Sequence, residues 1–379
     1  MKTVKRFFLG LTVVLFASCG GDSEDELIGN WVGTKVGDFG GAARAYASTF
    51  VIDNKGYVCA GRNDYRYPDG GYGRRDMWVV TVEKDAYGES RWSWTETGDS
   101  LPVGKGRHQA VGFSINGKGY IGTGWNGDEN VMKDFLEYDP AKSGTPDAWR
   151  EIAPLPGVAR YNATAFVLNG VAYVIGGYTR GADKEHLQDF WKFIPPSDGQ
   201  PDGSWEKVAA APGKKRSSAA VFVIDGWAYY CLGTNASGSV AEFQRFNGEI
   251  WEDLRPMKSY YEDDDFDDDY LRDLERTDAV TFTMKGTGTS YKGYIAMGTK
   301  QSTWEYEPPM MNGNTLISGD IWTKKTAFKT RQGAFALSFP DYGAGGDNLV
   351  LIGAGMESNY YREDMWMFQP EIENTTNDD

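Results

Sequence analysis

The apolar positions of this chain fall into short strand-like runs separated by turns rich in glycine, asparagine or aspartate, and the runs recur as one pattern six times. The leading run reads arginine, two residues, alanine, two residues, then a large apolar residue. It begins at Arg44, Arg107, Arg160, Arg216, Arg276 and Arg331, with Ala47 and Phe50 completing the first copy and Ala334 and Leu337 the last. A second apolar run ends in glycine: Tyr57 to Gly61, Tyr120 to Gly124, Tyr173 to Gly177, Tyr229 to Gly233, Tyr294 to Gly298 and Leu349 to Gly353. A third opens with an acidic or polar residue before an aromatic or methionine, as in Asp76–Met77–Trp78, Asp134–Phe135, Asp189–Phe190, Glu242–Phe243, Thr303–Trp304 and Asp364–Met365. A tryptophan marks the fourth run at Trp94, Trp149, Trp205, Trp251 and Trp322.

The last copy lacks its tryptophan, but Trp31 precedes Arg44 by the same interval that separates Trp94 from Arg107. Four strands repeated six times predict an all-β, six-bladed β-propeller, in which an N-terminal strand completes the last blade and leaves no open edge. These residues resemble the kelch repeat, the superfamily that includes galactose oxidase and the bacterial sialic-acid mutarotases. The glycine pair typical of that repeat is complete only at Gly176–Gly177 and is replaced by Ala60–Gly61 and Thr123–Gly124 elsewhere. The reading divides the chain into a signal peptide (1–18), a flexible tether (19–30), the propeller (31–369) and a polar tail (370–379).

Composition agrees with this division. Glycine, at 48 of 379 residues, is well above the typical roughly 7 per cent, as a turn-rich β fold requires. A formal charge of −15 repels phosphate backbones, so no nucleic-acid partner is expected. Lys2, Lys5 and Arg6 precede an apolar run from Phe7 to Ala17, the layout of a secretory signal. Leu15 to Cys19 resembles the lipobox of bacterial lipoproteins, which implies lipidation at Cys19 and anchoring to the bacterial outer membrane, periplasmic or surface side, with membrane contact only through that lipid. Cys59 and Cys231 occupy equivalent places half a ring apart, too far for a disulfide, and are expected as free buried thiols.

Candidate chemistry concentrates on one face. The six repeat arginines stand where each innermost strand begins, so two readings are open: a ring of guanidinium groups that captures an anion, or a set of internal ties to an acid or carbonyl of a neighbouring blade. Tyr65, Trp125, Tyr178 and Tyr360 lie in loops on the same face and suit a glycan or a protein partner. His108, Glu185 and His186 are the candidate acid–base groups. The two histidines with tyrosines are also the ligand types of a galactose-oxidase-like copper centre, but no cysteine is placed to supply its thioether, and no cofactor is expected. An insertion containing Asp263, Asp265, Asp267 and Asp269 invites calcium, yet lacks the glycine and final glutamate of an EF-hand loop. The leading expectation is a non-catalytic binder of glycan or protein; the resemblance implies, as the alternative, a mutarotase or epimerase of an acidic sugar.

Overall fold

The computed structural model describes residues 27–33, 36–68, 71–84, 90–180, 184–255, 257, 273–285, 290–313, 315–340 and 348–373. The expected signal peptide, Cys19 and the acidic insertion at Asp263–Asp269 lie outside these residues. The described chain forms six four-stranded antiparallel sheets, each in sequence order from the innermost strand outward, except that the sixth ends on the N-terminal strand. The innermost strands are Ser48–Ile52, Val111–Ile115, Thr164–Leu168, Ala220–Ile224, Val280–Met284 and Phe335–Phe339. The closing strand, Ile28–Val32, pairs antiparallel with Met365–Glu373, setting Trp31 opposite Phe368. Both strands run past the expected limits of 31 and 369. Trp31 packs 4.5 Å from the Phe328 ring and 4.9 Å from the Phe368 ring, with its indole N–H donating to the Thr326 carbonyl.

Burial follows from stacking blades face to face. In the second strands four successive positions are buried, because a neighbouring blade covers each face, and these segments therefore read as continuous apolar runs. The inner strands alternate, burying every second residue and turning the others toward the axis. Between first and second strands the repeat aromatics stack: Phe50 on Tyr57, Phe113 on Tyr120, Phe166 on Tyr173, Phe222 on Tyr229 and Phe282 on Tyr294, at 5.1–5.3 Å. In the sixth blade Leu337 faces Leu351 at the same register. Six apolar clusters result, one per interface, and that between the sixth and first blades holds Phe335, Leu337 and Met365 against Val58 and Val80. Cys59 and Cys231 are free and buried; burial pushes the Cys231 thiol up to about 12 and Cys59 higher still, which keeps both unreactive.

The arginines do not form a ring of free guanidinium groups. Each is at most 1 % exposed and is tied within its own blade, not to the next one as the internal-tie reading expected. Arg44 grips Asp76, Arg107 grips Asp134, Arg160 grips Asp189 and Arg331 grips Asp364 through paired hydrogen bonds of 2.6–3.0 Å. Arg216 uses the carboxylate and carbonyl of Glu242. Arg276 has Ser302 in place of an acid, binding its hydroxyl and carbonyl, and burial draws its pKa down to about 10. Ser302, not Thr303, is thus the fifth counterpart of Asp76, since Thr303 pairs one position deeper in the strand. The indole of Trp78, Trp191, Trp304 or Trp366 donates to the same acceptor side chain.

Neighbouring blades meet through the arginine backbone. The carbonyls of Arg107, Arg160, Arg216, Arg276, Arg331 and Arg44 accept from the N–H groups of Gly61, Gly124, Gly177, Gly233, Gly298 and Gly355, at 2.7–3.3 Å. The sixth glycine is Gly355, two residues beyond the Gly353 that the spacing suggested. These glycines sit at positive φ, and a Cβ on Gly124 would lie 2.7 Å from the Ala110 Cβ. The glycine and the small alanine of the repeat therefore require one another. The preceding residue is also left-handed, even as Ala60, Thr123, Leu232, Met297 or Ala354, so the incomplete glycine pairs preserve the turn at a cost of about 1–2 kcal/mol each.

Asp189→Ala is expected to lower the unfolding free energy by roughly 3 kcal/mol, because it strands a buried guanidinium. Ser302→Ala beside Arg276 should cost only about 1 kcal/mol. Urea denaturation of the two variants checks this, and equal losses would contradict the ion-pair account. Burial opposes ionisation of Asp189, but the hydrogen bond and charge of Arg160 outweigh it and hold the carboxyl below its usual value. The stabilisation from this pair is therefore full above the unfolded value near 4 and lost as pH falls through the lower folded value.

Candidate functional site

With the repeat arginines committed to the fold, the chemistry of this face passes to the residues beside them. Two positions after each arginine the backbone is left-handed, at Tyr46, Gln109, Asn162, Ser218, Asp278 and Gly333. Consecutive members hydrogen-bond around the axis, Tyr46 N–H to the Gly333 carbonyl, Gln109 to Tyr46, Asn162 to Gln109 and Ser218 to Asn162. With the repeat alanines they line a cavity of about 160 Å³ at the mouth of the channel. Below it the inner strands are laced by hydroxyls, as where Ser114 donates to the Val51 carbonyl and Thr281 to the Val221 carbonyl. The cavity is thus a polar floor at the top of a tight axis.

The floor is asymmetric although the scaffold is not. Gly333 is small because the Tyr46 ring lies across it; a Cβ there would come 2.6 Å from that ring. Tyr46 thereby reaches from the first blade to Asp278 of the fifth, whose carboxyl is hydrogen-bonded by Ser218, Thr277 and Tyr46. Burial raises the Asp278 pKa, those hydrogen bonds opposing it. Burial also raises the Tyr46 hydroxyl, and Asp278 adds to the rise.

One level above the floor the wall is aromatic over the second and third blades. His108, Trp125, Tyr161, Tyr178 and His186 follow one another with ring centroids 4.7–5.7 Å apart. Arg180 covers Trp125 at 4.3 Å. In the fourth and fifth blades the corresponding positions are not aromatic: Ser217 pairs with Thr234, and Thr277 with Thr299. At the first blade stands Arg62, half-buried and close enough to oppose the rise of the Tyr46 pKa and to add to the fall of the His108 pKa. Among the described residues no carboxylate pairs with Arg62, and its Nε has no partner.

The sequence-derived candidates separate accordingly. Trp125 and Tyr178 belong to the wall. Tyr65 and Tyr360 are exposed on loop tips, Tyr65 packed on Tyr67 and Tyr360 under Arg362, while the adjoining Tyr361 faces Tyr46. Glu185 is spent in an exposed ion pair with Lys215 at 2.7 Å and is not part of the floor. His108 and His186 do not meet, since three aromatic rings stand between them. No cluster of three histidine, cysteine or acidic ligands converges among the described residues. Sequence reasoning passed over Arg62, Gln109, Asn162 and Asp278. The signal available was variation: within a constant arginine–x–x–alanine frame, the second x differs in every copy.

Burial, with a smaller contribution from Arg62, brings the His108 pKa down to about 3, so the folded protein keeps this imidazole neutral. Below the unfolded value near 6.5 the unfolded chain binds a proton that the native protein refuses. Stability is therefore expected to decline as pH falls from about 6.5 toward 3, and nitrogen-15 NMR should find His108 unprotonated at pH 5; a native imidazolium at that pH would contradict the burial argument.

No family model matches the chain. Among curated proteins, the N-acetylneuraminate epimerase of Pasteurella multocida (strain Pm70) is 26% identical over 161 residues, 42% of this chain and 36% of that protein, so the match spans about a third of the relative's length. Among solved structures, that of YjhT superposes with a TM-score of 0.59 at 14% identity, covering 88% of this chain and 97% of the other. Repeat, blade count and closure together make this chain a six-bladed β-propeller.

Proposed function

We propose that the channel mouth binds an acidic sugar. The observation that carries this reading is Arg62, which stands beside Tyr46 and His108 at the first blade, over the Tyr72 ring at 5.7 Å, with no carboxylate paired to it among the described residues. A planar fork of that kind suits a ligand carboxylate. The aromatic wall offers ring faces and edges to a sugar, and Gln109, Asn162 and Ser218 offer amide and hydroxyl groups to its hydroxyls. A cavity of about 160 Å³ is below the usual ligand-cleft range of roughly 300 Å³ upward, which favours one ring or one terminal residue of a glycan over a chain passing through.

A second reading, interconversion of the sugar's anomers, is favoured by Tyr46 and Asp278. Ring opening requires the anomeric hydroxyl to lose its proton to a base while the ring oxygen gains one from an acid as the ring C–O bond breaks. Reclosure on the other face of the carbonyl reverses both transfers. A carboxyl with a raised pKa, hydrogen-bonded to a tyrosine hydroxyl, is equipped to exchange protons in this way. The similarity to an N-acetylneuraminate epimerase supports the reading and suggests the first ligand to try.

Saturation-transfer NMR with N-acetylneuraminate is expected to show binding that Arg62→Ala weakens at least tenfold, while the same variant leaves the unfolding midpoint unchanged. Exchange between anomer signals, slowed by a factor of about 10² in Asp278→Asn, would support the second reading. Binding unaffected by Arg62→Ala would contradict the first.

A further inference from the structure

The strand order gives the disc two distinct faces. Strands one and three end, and strands two and four begin, on the face opposite the mouth. Of the 14 exposed large apolar or aromatic side chains among the described residues, only Tyr65, Val103, Val158 and Tyr360 lie in loops on the mouth side. The other ten are on the opposite face, so exposed apolar surface is strongly one-sided.

Half of those ten come from a single feature. The fifth blade carries an extra hairpin between its third and fourth strands, Met310–Asn312 paired with Thr315–Ser318. Met310, Met311, Leu316, Ile317 and, just beyond it, Ile321 are exposed, Met310 by 58 % and Ile317 by 60 %. From Pro308 to Ile321 the only charged residue is Asp320, whose carboxylate accepts from the Tyr306 hydroxyl at 2.8 Å. In a chain of net charge −15 this is an uncharged apolar projection on an acidic body.

The N-terminal strand packs beside the outer strand of the blade that carries this hairpin, at that strand's far end. The outer strand that follows the hairpin, Ile321–Lys325, runs into Thr326, which donates through its hydroxyl to the Leu27 carbonyl at 2.8 Å and through its N–H to Ile28. Leu27, Ile28 and the neighbouring Ile372 are exposed. Seven residues lie between Cys19 and Leu27, so the two are at most about 28 Å apart in extended chain. A lipid on Cys19 would therefore keep this side of the disc near the bilayer.

We propose that the face opposite the mouth rests on the membrane surface, with the Met310–Ile321 hairpin seated in the headgroup–acyl boundary and the mouth opening away from the lipid. The occupant is a bilayer, and the proposal rests on lipidation at Cys19. Apolar side chains free of charge suit that boundary, whereas the acidic remainder of the body is repelled by anionic headgroups. A short anchor then fixes orientation as well as location.

The test uses the full chain, its lipid verified by mass, reconstituted in phosphatidylcholine–phosphatidylethanolamine vesicles. Cys59 and Cys231 are buried, so a nitroxide on Ile317→Cys, Leu316→Cys or, on the mouth side, Val103→Cys is site-specific. Circular dichroism matching the parent protein confirms that each variant folds. The ratio of oxygen to nickel-chelate accessibility is expected to be at least threefold higher at both hairpin positions than at Val103→Cys. Equal ratios would overturn the proposal, as would a Cys19 without lipid. Spin–spin broadening at the hairpin before vesicles are added would overturn it in favour of contact with a second copy.

Discussion

Every blade of this protein donates the peptide N–H of a left-handed glycine to the carbonyl of the arginine that opens the following inner strand. The arginine backbone thus joins blade to blade, while its side chain, buried and gripped by an acid or serine, joins the first strand of its own blade to the third. Neither half works alone. Without the glycine the turn would collide with the repeat alanine, and removing the acid from a blade built around one would strand a buried guanidinium; only the fifth blade, where Ser302 and four carbonyls surround Arg276, does without it.

That economy explains which parts of the molecule are readable from its sequence. The arginine, alanine and glycine recur because each blade solves the same packing problem, so the blade count, the inner strands and the closing strand at Trp31 are visible as spacing. The role of the arginines is less visible. A guanidinium at the start of a strand looks the same in sequence whether it faces solvent or an aspartate 27–33 residues later. The acid is separated from it by a variable loop, and only the folded sheet brings the two within 3 Å. Register is likewise blurred where a copy drifts: Gly353 and Thr303 look like members of the pattern but stand two residues and one residue from the true ones.

The candidate site is hidden for the opposite reason. Its floor occupies the one position per repeat where the scaffold fixes the backbone but not the side chain, so Tyr46, Gln109, Asn162, Ser218, Asp278 and Gly333 share a conformation and nothing else. The left-handed backbone tilts these side chains to the axis, where six different residues make one asymmetric surface. Arg62 escapes notice among so many arginines, but it is half-buried where the repeat arginines are fully buried, and no acid holds it among the described residues. A symmetric ring supplies rigidity, and the departures from symmetry supply the groups with unspent hydrogen-bonding capacity.

The central claim is that six equivalent junctions, including the one between the last blade and the first, hold the ring as a single cooperative unit. Native-state hydrogen exchange at the amides of Gly61, Gly124, Gly177, Gly233, Gly298 and Gly355 tests it most directly. The account predicts that all six exchange only through global unfolding, with Gly355 at the closing junction as protected as the others. A Gly355 amide that exchanges through a local opening, with the other five still protected, would show that the ring is a row of blades and not a closed circle.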